Sequence, residues 1–177
     1  GVDRRVKCTI SVVGWGDGER WLRSVRRHWE WLDLLDRIKR DRQSRVLTGK
    51  PELMAPGEIL VGDPSTASSR EAVVSKIPGM EDTKSTAYSL ATAEKLLEFK
   101  PIDVVGRISP RAMLYIAAEQ DAVTPADGVR DMYEQTKEPK KLWVIPGAVH
   151  YDVYSEELLE SIMEMTTSWL RDHLPEK

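Results

Sequence analysis

A chain of 177 residues, 41% apolar and 31% charged, is long enough to bury a real core and has the composition of a globular protein. With 26 basic against 29 acidic residues its net charge is −3, so it lacks the basic excess of a nucleic-acid surface, and no apolar run is long enough to span a bilayer. It opens GVDRRVKCTI, without the apolar stretch of a secretory signal, and its single cysteine, Cys8, has no partner for an internal disulfide; both features suit a reducing, cytoplasmic setting.

The β-rich run at 6–13 reads as a strand that ends in a glycine-punctuated loop, Gly14, Gly16 and Gly18. That spacing is G-x-G-x-G rather than the dinucleotide fingerprint, so an ordinary strand-end turn is the better reading than a phosphate cradle. From 19 to about 47 the pattern predicts one helix. Leu22, Val25, Trp29, Leu32, Leu35 and Ile38 recur at three- and four-residue steps. Its other face carries Arg23, Arg26, Arg27, Arg37 and Arg40, but Glu30, Asp33, Asp36 and Asp41 interleave with them, which gives a solvated face with local ion pairs rather than a nucleic-acid helix.

The Gly-, Pro- and Ser-rich stretch 48–70 predicts loop, with a short strand at 58–61 and Asp63 or Ser65 capping a short helix at 69–77. A further helix over 85–100 stops at Pro101, because the residue before a proline resists helix. The last third alternates: strand in RAMLYIAAEQD, helix in TPADGVRDMYEQTK, strand in KKLWVIPG, helix in SEELLESIMEMTTSWLRDHL. The first of these strands is almost continuously apolar, as a strand covered on both faces must be. In the last helix Leu158 or Leu159, Ile162, Met165 and Trp169 form the apolar stripe, Ser155 is the N-cap, and Glu156 and Glu157 place negative charge in the first turn. Strand–helix–strand–helix order implies parallel strands and an α/β sheet.

In open α/β sheets, ligands bind beyond the carboxyl ends of the strands. Asp121 follows one late strand and His150 follows the next. If those strands are neighbours, the carboxylate can hold one ring nitrogen of the histidine and leave the other to move a proton, the acid-plus-base half of a nucleophilic triad. Each residue has a plainer reading: Asp121 as a cap or turn residue in DAVTP, His150 as a surface turn histidine. Glu119 and Asp152 are nearby rival carboxylates, Asp152 better suited to supporting the turn or the last helix. His28 sits on the charged helix, and His173 complements the dipole at the end of the last one.

The stretch from RISPRAMLYIAAEQDAVTP to KKLWVIPGAVHYDVY resembles the C-terminal part of an α/β-hydrolase, closest to dienelactone-hydrolase and acyl-peptidase-like members. The resemblance implies an α/β fold, a parallel sheet with flanking helices and a mainly helical cap insertion. It divides the chain into a core strand in 1–14, a cap in 15–88 and the C-terminal part of the core in 89–177. It implies a serine hydrolase cleaving an ester, lactone, thioester or amide through an acyl-enzyme, with Asp121 as catalytic acid, His150 as catalytic base, and no cofactor or metal. Trp15, Trp21 and Trp31 of the cap are expected to line the pocket for a small-molecule acyl substrate, although packing between cap and core accounts for cap tryptophans equally well, Trp29 above all.

The family's G-x-S-x-G nucleophile motif is absent. Ser11, Ser65, Ser68 and Ser69 have the wrong surroundings, and Cys8 in its apolar strand reads as a small hydrophobe. The expectation is that the chain starts downstream of its serine, with nucleophile and oxyanion hole on an N-terminal half of the same hydrolase, encoded together or as a separate chain. The alternative is a non-catalytic, hydrolase-like module that binds a ligand or partner. No nucleic-acid or membrane partner is expected, and self-association of identical chains is left open.

Overall fold

The β-branched and apolar runs at both ends of the chain meet in one parallel sheet. The computed structural model describes residues 1–59, 64–76 and 87–174. In it, strands β1 (Cys8–Val12), β4 (Ala112–Ala118) and β5 (Lys140–Ile145) lie in the order β1-β4-β5. Ile10 sits opposite Leu114, and Ile116 opposite Trp143. All seven residues of β4 are buried, as its unbroken apolar sequence requires of a central strand.

The period-two alternation of β4 divides its side chains between two cores. Ala112, Leu114, Ile116 and Ala118 pack with Ile162 and Trp169 of α7 (Glu156–His173). Met113, Tyr115 and Ala117 pack with Val129 and Met132 of α6 (Ala126–Gln135). Leu158 and Met165 complete the α7 stripe, while Leu159 stays exposed. Cys8 is partly buried on β1 against the α7 side, and burial pushes its thiol above the ordinary value, which suits a packing role and not a nucleophile. The Ser155 side chain accepts a hydrogen bond from the Leu158 amide at 3.3 Å and so caps α7. Ser155→Ala should cost about 1 kcal/mol, read as a lowered denaturation midpoint; an unchanged midpoint would contradict the capping role.

Between β1 and β4 the chain builds a helical unit. The single helix predicted over 19–47 is two: α1 (Gly18–Ser24) and α2 (His28–Thr48). The chain restarts at Arg27, whose amide donates to the Glu30 carboxylate at 2.7 Å. The break rotates the buried face. Trp31, Leu34 and Ile38 are buried, whereas Trp29 and Leu32, expected on the apolar stripe, are 63% and 51% exposed. The arginines and acids do pair: Arg40 with Asp36, Arg37 with Glu52 and Glu58, and Arg45 with both Asp41 and Glu94.

The strand expected at 58–61 is not formed at Glu58 and Ile59, which belong to the turn α3 (Pro56–Ile59) because the Glu58 carboxylate accepts the Ala55 amide; Leu60 and Val61 lie outside the described residues. The local strand is instead β2 (Leu53–Met54), paired antiparallel with β3 (Tyr88–Ser89). Helix α4 (Pro64–Val74) starts earlier than expected, and Asp63 and Ile77 lie outside the described residues. The last helix of the unit, α5 (Ala91–Glu98), is shorter than the predicted 85–100, whose first two residues lie outside the described residues, and it ends three residues before Pro101. Leu90, just before it, and its Ala93, Leu96 and Leu97 pack with Trp21, Leu22, Trp31 and Leu34, so the core of the unit runs past residue 88. Among the described residues no helix is long and apolar enough to cross a membrane.

Candidate functional site

Parallel pairing brings the carboxyl ends of all three strands to one edge. The ladder runs on past them: Val13 N donates to Ile116 O, Glu119 N to Ile145 O, and Gln120 N to Ala148 O. Two turns then leave the sheet side by side. After β5, Gly147 adopts φ 69°, a left-handed conformation that favours glycine, and its amide donates to Glu119 Oε2 at 2.8 Å. The expected rival Glu119 is thereby used as a turn brace. Asp152 closes the following 3-10 turn, His150–Tyr154, by accepting the Val149 amide at 2.9 Å, and its other oxygen accepts from Ser69 of α4 at 2.9 Å.

These turns bring Asp121 and His150 together. Nδ1 of His150 lies 2.8 Å from Oδ2 of Asp121, with side-chain exposures of 13% and 1%. The other carboxylate oxygen, Oδ1, accepts the amides of Val123 at 2.9 Å and Thr124 at 2.7 Å. Asp121 therefore serves both readings made from the sequence: one oxygen organises the turn and the other holds the histidine. An ionised carboxylate only accepts, so Nδ1 carries the proton and Nε2 is left to exchange one.

The residue that sequence reasoning missed is Thr124. It is 2% exposed, and its Oγ1 lies 2.9 Å from Asp121 Oδ2, 2.9 Å from Val13 O and 3.2 Å from His150 Nδ1. The available signal was the D-x-x-T spacing, which puts the hydroxyl one turn from the carboxylate; followed by proline, it read as a helix start.

The tryptophans separate. Trp15 and Trp21 stack with centroids 4.4 Å apart, and the Trp21 indole N–H donates to Val123 O, tying α1 to the turn after Asp121. Together with Arg20, Ile102, Pro125, Asp127 and Gly128 they line a cavity of about 170 Å³. Trp31 does not line that cavity: it is 6% exposed, in the same core of the helical unit as Trp21. His28 begins α2, and His173 Nδ1 lies 2.9 Å from Trp169 O in the last turn of α7. Among the described residues no cluster of three or more His, Cys, Asp or Glu side chains is placed to hold a metal ion, and no serine hydroxyl there bonds to His150.

No family model matches the chain. It is 25% identical over 175 residues to an uncharacterized 31.7 kDa protein of Escherichia coli, covering 97% of this chain and 58% of that protein. It is 25% identical over 178 residues to a thiohydrolase of Eupenicillium brefeldianum, covering 96% of this chain and 55% of that one. It is 27% identical over 180 residues to a polyketide transferase of a Penicillium species, covering 97% and 56%. The chain thus spans little more than half the length of the curated relatives it matches. Among solved structures, the α/β-hydrolase GrgF of Penicillium sp. sh18 matches with TM-score 0.73 at 25% identity, over 98% of this chain and 57% of its own. A hypothetical protein of Pseudomonas aeruginosa matches with TM-score 0.74 at 20% identity, over 98% and 55%.

Proposed function

From the premise that this chain is a relative of the α/β-hydrolases, matching part of their fold, we propose that it carries the acid and base of a serine acyl hydrolase or acyltransferase. The observation that supports this most is the 2.8 Å contact between His150 Nδ1 and the buried Asp121 carboxylate at the carboxyl edge of the sheet. The serine and the amides that receive the oxyanion are assigned to the part of the fold that this chain does not match, on a preceding segment or a partner chain.

In this reading Nε2 of His150 takes the proton of the serine hydroxyl as the oxygen attacks the acyl carbonyl. It then returns that proton to the leaving sulfur or oxygen, leaving an acyl-enzyme. Water, or a hydroxyl or amine acceptor, repeats the cycle and releases the acyl group. Asp121 holds the ring in the required tautomer and stabilises the imidazolium in between. A thiohydrolase and a polyketide transferase among the relatives favour a thioester-bound acyl chain as substrate. The cavity beside Trp15 and Trp21 would take part of that chain.

A panel of acyl thioesters and oxoesters offered to the intact protein tests the reading. The expected result is release of thiol or alcohol that His150→Ala abolishes. Release unaffected by that substitution, or none across the panel, would overturn it, and the latter outcome would favour a non-catalytic binding module. Trp15→Ala should change the preference among acyl chain lengths with little effect on the shortest; equal effects at all lengths would remove Trp15 from the substrate pocket.

A further inference from the structure

One hydroxyl at the site has more partners than protons. Thr124 Oγ1 lies 2.9 Å from Asp121 Oδ2 and 2.9 Å from Val13 O, and both of those atoms only accept. A threonine hydroxyl has one proton, so it satisfies one of them at a time. The third neighbour, His150 Nδ1 at 3.2 Å, carries its own proton and meets a lone pair of the same oxygen. The group is held from both sides. Thr124 is buried and its own amide donates to Asp121 Oδ1. Val13, just past the end of β1, adopts φ 42°, a conformation that a β-branched residue takes only when its surroundings impose it.

Resting on the acid–base reading of Asp121 and His150, we propose that the Thr124 hydroxyl is a positioning group for that pair, its proton alternating between Asp121 and Val13 O as His150 loses and gains charge. While the imidazole is neutral, the carboxylate has excess charge and the hydroxyl donates to Oδ2, fixing the oxygen that holds Nδ1–H. When Nε2 takes a proton, the imidazolium needs the carboxylate's charge undiminished. The hydroxyl then turns to Val13 O and presents its lone pair to Nδ1–H. The rotation breaks no covalent bond and involves a buried group, so it needs no rearrangement of water. Through Val13 it also fixes the end of β1 relative to the turn after β4.

The test is made on the intact protein with whichever acyl ester it turns over fastest. Thr124→Val keeps shape and removes the hydroxyl; Thr124→Ser keeps the hydroxyl and removes the methyl. The expected result is a kcat lowered about tenfold by Thr124→Val, with KM within twofold of wild type, and a kcat restored to within about threefold by Thr124→Ser. A purely structural role would follow the methyl instead. Thr124→Val at wild-type kcat, or Thr124→Ser as slow as Thr124→Val, overturns the proposal. If Thr124→Val is unfolded by circular dichroism, Thr124→Ala replaces it with the same thresholds. His150→Ala in the same assay separates the two levels. If it retains activity, the acid–base reading itself fails; if it is inactive and Thr124→Val is not slowed, only the role of Thr124 fails.

Discussion

In the intact protein, Asp121→Asn should lower turnover by about four orders of magnitude without unfolding it. The direction follows from how the carboxylate is held. Oδ1 accepts two backbone amides, from Val123 and Thr124. An asparagine must therefore keep its carbonyl oxygen there and turn its amide nitrogen towards His150. That nitrogen donates and does not accept. Nδ1 of His150 must then give up its proton and accept, which places the proton on Nε2, where a base has to be vacant. The geometry survives and the tautomer is inverted. His150→Ala removes the base outright and should cost at least as much. The two losses should not add, since both substitutions disable one unit. Turnover by Asp121→Asn within tenfold of wild type, with an unchanged circular dichroism spectrum, would contradict the role given to Asp121.

The largest expected effect on stability is at Gly18. A Cβ there would lie 1.8 Å from the Leu96 carbonyl oxygen and 3.1 Å from that of Phe99, both backbone atoms of the segment with which α1 packs. The Gly18 amide also donates to Phe99 O at 2.8 Å, so α1 cannot back away without losing that bond. Gly18→Ala should destabilise the protein by about 3 kcal/mol, a large fraction of what a domain of this size has to lose. Gly128→Ala is the control. Nothing lies within 4 Å of its added Cβ, and it sits in α6, where alanine is the better helix former, so it should raise stability by up to about 1 kcal/mol. Urea midpoints of the two variants decide it; a Gly18→Ala midpoint equal to wild type would contradict the close approach of α1 to α5.

The parallel sheet and the meeting of Asp121 with His150 at its edge were legible in the sequence because the relevant signals are local. Seven apolar residues in β4 admit few alternatives to a central strand, and the strand–helix–strand order around α6 forces β4 and β5 to run parallel. Once those strands are neighbours, residues three beyond Ala118 and five beyond Ile145 leave the sheet at the same edge. What failed was the break between α1 and α2. The apolar spacing from Leu22 to Ile38 continues through it without interruption, and the restart relies on Arg27 and Glu30, a pair outside the usual Ser, Thr, Asp or Asn N-cap vocabulary. Reading one helix therefore placed Trp29 on the apolar stripe, whereas the structure exposes Trp29 and buries Trp31. Thr124 was hidden for a different reason. The D-x-x-T spacing reports only its contact with Asp121, whereas Val13 and His150, which its hydroxyl also meets, are distant in sequence on opposite sides of it.

The most direct measurement is to label the intact protein with a fluorophosphonate and map the modified peptide by mass spectrometry, in wild type and in His150→Ala. The placement of base and acid on this chain, and of the nucleophile outside it, predicts one modified serine that lies beyond these 177 residues and whose labelling is lost in His150→Ala. A label within the chain, or one that forms equally well without His150, would contradict it.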